Sequence, residues 1–433
     1  MHKKKLFAES ISVDIIVKGN TLLFPYRVKF PEKSLEETLE VIYEFKLNLT
    51  ESQIDLLKMG MTIFLAQTFL AKKIDGNILV KKCLFPYYNE LIKLLYNLRN
   101  YKEQTDITPP LFETTNFSKS LDLSQCNKQK DPDKKKAANL ISGGKDSLSA
   151  ALLLEQNGFE IINCFISGFN LASGNAELIA CKKLYGNFHI IHVKGFEKIL
   201  NLMSKINIPN EKPSKHTYTI IYARDLLSIF FIIPVALWSK ANYISFGAER
   251  DVWKSNIKGK YGLIPMQDTQ SELTLTVIHK IIKIVNPQIH LFSPIAGLHE
   301  ITLLSWLLKN KPSLVSKMSS CFHGNWCGQC WKCSRYYLIQ KYIGVEIIPF
   351  KSNPLHPTSE YLQKFFENNL IQGAPYNEEI SFLLEKVNIH ENETLNNSLD
   401  GLNLPIISNT DTNDLFYSHS AKLIPRRFKR KLR

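Results

Sequence analysis

The stretch NLISGGKDSLSAALLLEQNG, residues 139–158, constrains the fold more than any other part of the chain. An apolar run meets two adjacent glycines, Gly143 and Gly144, and passes at once into apolar residues at helical spacing. That order predicts a strand, a tight turn and a helix, the repeating unit of an open sheet covered by helices. Beyond the carboxyl end of such a strand, a glycine turn lets backbone N–H groups close on a phosphate at the helix N-terminus. A plain glycine turn with a serine or aspartate cap has the same outline. The run Ser142, Gly143, Gly144, Lys145, Asp146, Ser147 holds more than a cap requires, because it adds an ammonium and a carboxylate to the hydroxyls.

From Ala137 onward the pattern repeats. ANLIS, EIINCFI, FHIIHVK, NYISFG and IHLFS read as strands, and 147–157, 174–184, 219–240, 271–286 and 299–309 read as helices. Pro234 is expected to kink the third helix. This alternation predicts an α/β fold, a mainly parallel sheet with helices on both faces. Upstream, residues 11–30 read as two strands around a Gly19-Asn20 turn, and 52–72 and 86–98 as helices, which predicts a smaller α+β N-terminal domain. Because 433 residues exceed one ordinary core, the polar stretch 113–136 is expected to link an N-terminal domain (1–112) to a phosphate-loop domain (137–345). Residues 346–433 form a C-terminal extension, whose Asn-rich part, 387–414, predicts loose order.

Composition, 44% hydrophobic and 22% charged, is that of a globular chain. Its net charge of +14 is compatible with a polyanionic partner such as RNA, a nucleotide or an anionic membrane surface. Much of the excess sits in RRFKRKLR at 426–433 and in KKK at 3–5 and 134–136, which favours solvated tails over a shaped nucleic-acid surface. The apolar run Leu227–Trp238 is shorter than the about 20 residues that a membrane span needs. Glu9, Ser10, Ser12 and Asp14 interrupt any secretory apolar region, so a cytoplasmic protein with no membrane span is expected.

Four of the eight cysteines, Cys83, Cys126, Cys164 and Cys181, are scattered, whereas Cys321, Cys327, Cys330 and Cys333 fall within SSCFHGNWCGQCWKC. Thiolates two residues apart can share one tetrahedral ion, so the spacing predicts a closed, structural zinc site rather than a redox pair. His323 is a spare ligand or, more simply, a polar loop residue.

SGGKDS resembles the phosphate motif of the ATP pyrophosphatase superfamily. The resemblance implies ATP and Mg²⁺ as cofactors and cleavage between the α and β phosphates. Ser142, Gly143, Gly144 and Ser147 would then cradle pyrophosphate, Asp146 would orient the phosphates or hold the metal, and Lys145 would neutralise charge. With the cysteine block and YISFGAERDVWKSN, the layout of residues 10–345 is similar to the ATP-dependent UDP-N-acetylmuramoyl-L-alanyl-L-glutamate epimerase family. That likeness implies adenylation of a small-molecule or peptidyl carboxylate followed by epimerisation. The cysteine block and LFSPIAGLHEITLLSWL also resemble 7-cyano-7-deazaguanine synthase, which implies amide or nitrile formation instead. A nucleotide- or RNA-binding module without turnover is a further alternative. Glu249, Arg250 and Asp251 after YISFGA are acid–base or anion-binding candidates, with Lys215, His216, Arg224, Glu272 and His299 behind them. Arg250 or Arg224 could grip a phosphate or a substrate carboxylate bidentately. Glu272 and His299 read more readily as helix-start residues, with Ser271 or Thr269 as a cap.

Overall fold

The computed structural model describes residues 7–75, 82–103, 106–111, 135–169, 174–206, 224–253, 256–259, 262–265, 268–321, 326–352, 354, 382–383 and 387. Strands β1 (Ser10–Val13), β2 (Ile16–Lys18), β3 (Thr21–Lys29) and β4 (Ser34–Ile42) come first, followed by α1 (Glu51–Phe69), β5 (Lys73–Ile74) and α2 (Phe85–Glu103). The expected hairpin forms between β2 and β3, with Lys18 opposite Thr21 across Gly19-Asn20. Helix α1 starts at a capping box. Thr50 Oγ1 accepts from the Gln53 N–H, and Gln53 Oε1 accepts from the Thr50 N–H at 2.9 Å.

After the polar stretch come β6 (Lys136–Ile141), α3 (Lys145–Gln156), β7 (Glu160–Ser167), α4 (Gly174–Leu184), β8 (His189–Lys194), α5 (Phe196–Ile206) and α6 (Arg224–Trp238). Then follow β9 (Tyr243–Ser245), the single turn α7 (Arg250–Trp253), the ribbon β10 (Asn256–Gly259) and β11 (Gly262–Pro265), α8 (Glu272–Val285) and β12 (His290–Phe292). Helices α9 (Glu300–Asn310), α10 (Pro312–Val315) and α11 (Trp331–Ile343) complete the described elements. Pro234 lies inside α6.

The main sheet runs β12-β9-β6-β7-β8-β4-β3-β1-β5, with β2 on β3. Pairing is parallel from β12 to β8. In chain order these five strands stand 5-4-1-2-3, so the winding reverses between β6 and β9. In an open α/β sheet the ligand crevice lies outside the carboxyl ends of the strands at that reversal.

Alternation along β7 shows that both faces are covered. Cys164 joins the large core with Ala138, Phe230, Phe231 and Ile244, whereas Phe165 packs with Ile141 of β6, Ala151 of α3 and Cys181 of α4. The smaller N-terminal α+β part shares this sheet and core with the later half. Strand β4 pairs antiparallel with β8 (Val41 opposite Val193), and Phe24, Leu57 and Phe64 belong to the same cluster as Phe230 and Ile281. The polar stretch expected as a linker therefore separates two lengths of one sheet.

Candidate functional site

The SGGKDS stretch sits at the winding reversal. Strand β6 ends at Ile141, Gly143 takes φ +72°, and Gly144 is the N-cap of α3. A Cβ at Gly143 would lie 2.8 Å from that of Ala180 on α4, so both its conformation and its surroundings call for glycine. The loop closes on Ser147: the Ser142 N–H donates to Ser147 Oγ at 3.1 Å, and that hydroxyl donates to the Gly144 carbonyl at 3.1 Å. Ser142 is exposed and Asp146 half-buried, which leaves the outer side of the turn open. Helix α3 begins at Lys145, two residues before the expected start, so Lys145 and Asp146 lie in its first turn.

The loop after β9 supplies the facing wall. A Cβ on Gly247 would meet the Asp146 carbonyl carbon at 2.6 Å, so this position lets the two loops touch. Ser293, just past β12, fixes the neighbouring backbone: it accepts from the Ala248 N–H at 3.1 Å and donates to the Ala248 carbonyl at 2.8 Å.

Lys145 lies at the junction. Its side chain is 2% exposed, and Nζ stands 2.5 Å from Asp146 Oδ1, 2.5 Å from Glu249 Oε2 and 3.1 Å from Glu300 Oε1. Arg335 on α11 holds Glu300 in turn, with Nη2 donating to Oε1 at 2.9 Å and Nε 2.8 Å from Oε2. Burial works against the lysine's charge, but the three carboxylates outweigh it and hold the Lys145 pKa well above the usual range. Burial and the Asp146 charge push Glu249 well above the usual carboxylate range, only partly countered by Lys145. Asp251, two residues on, accepts from the Glu300 N–H at 2.9 Å and bonds His299 Nδ1 at 2.7 Å. It thereby caps α9, whose own N-cap residue, His299, makes no side-chain cap bond.

The four clustered cysteines converge. Cys321 Sγ lies 3.8 Å from Cys330, Cys327 lies 3.9 Å from Cys333, and Cys330 lies 3.6 Å from Cys333. Four thiolates about 2.3 Å from one ion in a tetrahedron stand ~3.8 Å apart, so the set fits a single metal ion. The Cys327 N–H donates to Cys321 Sγ and the Gln329 N–H to Cys327 Sγ, each at 3.3 Å. The bond from Cys321 brings the Cys327 thiol down to about 7. Cys330 caps α11, which puts Cys333 in its first turn.

Two bonds join this cluster to the SGGKDS turn. The Ser319 N–H donates to the Gly143 carbonyl at 2.9 Å, and the Lys145 N–H donates to Ser320 Oγ at 3.1 Å.

Among the residues singled out in the sequence, Lys145, Asp146 and Glu249 meet, and the four cysteines meet. Arg250 begins α7, its N–H bonded to the Leu298 carbonyl at 2.9 Å. Arg224 stands 3.4 Å from Asp225, which also accepts from Gln270 at 2.6 Å. Glu272 is the first residue of α8, and the cap is Ser271, whose Oγ accepts from the Thr274 N–H. Lys215, His216 and His323 lie outside the described residues. Glu300, Arg335 and Ser320 belong to no motif legible in the sequence, though Ser320 stands directly before Cys321 and Glu300 directly after His299.

A separate groove of about 800 Å³ crosses β1, β3 and β4, lined by residues that include Tyr26, Arg27, Glu37 and Lys198. Its charges are matched within the wall: Arg27 with Glu36, Lys198 with Glu37 and Lys58 with Asp14. Among the described residues no helix is long and apolar enough to cross a membrane.

A family model described as "Family of unknown function (DUF6395)" matches residues 279–433. No curated protein matches the chain. Among solved structures it is similar to the U34-tRNA thiolase NcsA from Methanococcus maripaludis with its [4Fe-4S] cluster, at 14% identity and a TM-score of 0.30, over 68% of this chain and 81% of that one.

Proposed function

We propose that the chain is an ATP-dependent enzyme of the ATP pyrophosphatase type that adenylates a carboxylate, releases pyrophosphate and then AMP, and epimerises an amino-acid centre of a peptide-like substrate. One observation carries the nucleotide part: SGGKDS follows β6 and Glu249 follows β9, on either side of the winding reversal. The open turn suits pyrophosphate cradled by Ser142, Gly143, Gly144 and Ser147, with the exposed Ser142 hydroxyl on the outer side and Ser147 giving up its present bonds to Ser142 and Gly144 to join it. Asp146, the half-buried carboxylate of the set, orients the phosphates or holds Mg²⁺, which would offset their charge. Lys145 serves from beneath, fixing Asp146 against Glu249 and Glu300. Arg250, which follows Glu249 at the start of α7, is assigned to the substrate carboxylate.

A carboxylate oxygen attacks the α phosphorus, and the bond to the β phosphate breaks. The acyl–AMP anhydride makes the neighbouring α-proton more acidic than it is beside a free carboxylate. A base removes that proton, an acid returns one on the opposite face, and hydrolysis frees AMP. The four cysteines would hold zinc as a closed, structural ion with no coordination position left for substrate.

The net charge of +14 supports a second reading in which activation ends in amidation or nitrile formation on a deazapurine, or in modification of a nucleobase. Incubation with ATP and candidate substrates in deuterium oxide separates the two. Epimerisation places deuterium on the α-carbon; amidation consumes ammonia and leaves that carbon unlabelled. Failure of every carboxylate to yield AMP, with Asp146→Ala leaving the biological activity intact, would reduce the chain to a nucleotide-binding module.

A further inference from the structure

The cysteine cluster and the phosphate loop are tied by two separate routes. The first is backbone-adjacent: Cys321 follows Ser320, whose hydroxyl accepts the Lys145 N–H, and Ser319 bonds the Gly143 carbonyl. The second runs through side chains. Cys333 and Arg335 share α11, Arg335 grips Glu300, and Glu300 reaches Lys145 Nζ. Ser320, Glu300, Arg335 and Lys145 are all buried, so little water is at hand to replace a bond that lapses.

We infer that Ser320 and Glu300 are positioning residues through which occupancy of the four-cysteine site sets the affinity of the phosphate loop for its nucleotide. This rests on the nucleotide reading of that loop. An ion drawing the four sulfurs together fixes the chain at Cys321 and the first turn of α11 at Cys333. Those two anchors hold Ser320 at the Lys145 amide and Arg335 at Glu300. Without the ion, the sulfurs keep contacts of 3.6–3.9 Å and the two N–H bonds from Cys327 and Gln329 in place of metal–sulfur bonds, and both anchors loosen. Coupling between two binding sites is reciprocal in free energy, so nucleotide must tighten metal binding by the factor by which metal tightens nucleotide binding.

The reciprocal arm gives the test without requiring a stable metal-free protein. The full chain is loaded with zinc, and zinc transfer to a colorimetric chelator at equilibrium is measured with and without inorganic pyrophosphate or an ATP analogue carrying a methylene between its α and β phosphates. Calorimetry establishes separately that the probe binds. The expected result is about a tenfold gain in zinc affinity on saturation with either probe, within the usual range of coupling. Ser320→Ala should keep its zinc, bind the probe more weakly and lose most of that gain; Glu300→Gln should do the same in smaller degree. A probe that binds while zinc affinity stays put, or a Ser320→Ala chain with undiminished coupling, overturns the inference alone. Zinc-loaded chain that binds neither probe overturns the nucleotide reading and the coupling with it.

Discussion

Lys145 Nζ lies 2.5 Å from Glu249 Oε2, and both side chains are 2% exposed. The contact joins the loop after β6 to the loop after β9 and so closes the floor of the crevice. Removing one partner of a buried pair leaves an uncompensated charge, at a cost of about 3–5 kcal/mol. Lys145→Met should therefore lower stability by that order in urea unfolding, because Asp146, Glu249 and Glu300 lose their shared cation. Glu249→Gln should cost less, under about 2 kcal/mol, because the amide keeps the side chain's shape and an oxygen for Lys145 Nζ while Asp146 and Glu300 still balance the ammonium. Equal losses in the two variants would show that Asp146 and Glu300 do not suffice to balance the lysine.

The same carboxyl predicts a pH dependence. Burial and Asp146 raise the folded-state pKa of Glu249 above its ordinary 4.5. The stability that the group contributes is therefore complete below about 4.5 and lost as pH rises through the higher folded value. Glu249→Gln lacks that dependence, so its stability relative to the parent should improve steadily as pH rises from 4.5. Unfolding midpoints of the two chains across that window provide the check.

Asp251 carries the opposite sign. Burial alone would raise its pKa, but the His299 bond and charge and the Glu300 N–H outweigh it and hold the carboxyl below 3.8. Its contribution is present above 3.8 and fades as pH falls through the lower folded value. Asp251→Ala should cost about 1–2 kcal/mol near neutrality, the usual size of a lost helix cap, and progressively less in acid. Because the cap fixes Glu300, nucleotide affinity should fall as well.

Glycine substitutions separate loop contact from backbone conformation. Gly247→Ala forces a methyl to 2.6 Å from the Asp146 carbonyl carbon, and overpacking of this kind typically costs ~1–3 kcal/mol. Gly19→Ala adds a methyl in open space at φ +62°, with ~1–2 kcal/mol of strain and no neighbour displaced. Both should lower the melting temperature, but only Gly247→Ala should weaken nucleotide binding measured by calorimetry.

The parallel half of the sheet was legible because its strands are nearly continuous apolar runs set between amphipathic helices. Strand β4 was not read as a strand: SLEETLEVI carries three glutamates, which have low β-propensity, and it is held in the sheet by the β3 and β8 ladders. The strand order, and with it the meeting of Lys145 with Glu249, depends on pairings that no local pattern encodes. Polar residues such as Glu300 and Arg335 look like ordinary surface residues in sequence and acquire meaning only from burial against each other. The cysteines were the easiest to read, since four thiols at metal spacing announce their own proximity.

That proximity leads to a prediction about the ion itself. With the sulfurs 3.6–3.9 Å apart in the closest pairs and three of the four buried, the purified chain should carry about one zinc by elemental analysis. Cys333→Ser removes a ligand at the first turn of α11 and should strip most of the metal, whereas Cys83→Ser, at an exposed thiol remote in sequence from the cluster, should leave the metal content unchanged. Binding energy at a closed thiolate site is folding energy, so Cys333→Ser should also lower the melting temperature by more than Cys83→Ser. Chelator treatment of the parent chain should reproduce the Cys333→Ser melting curve. A metal-free preparation that melts like the zinc-loaded chain would leave the four thiols as packing groups and remove zinc from the account.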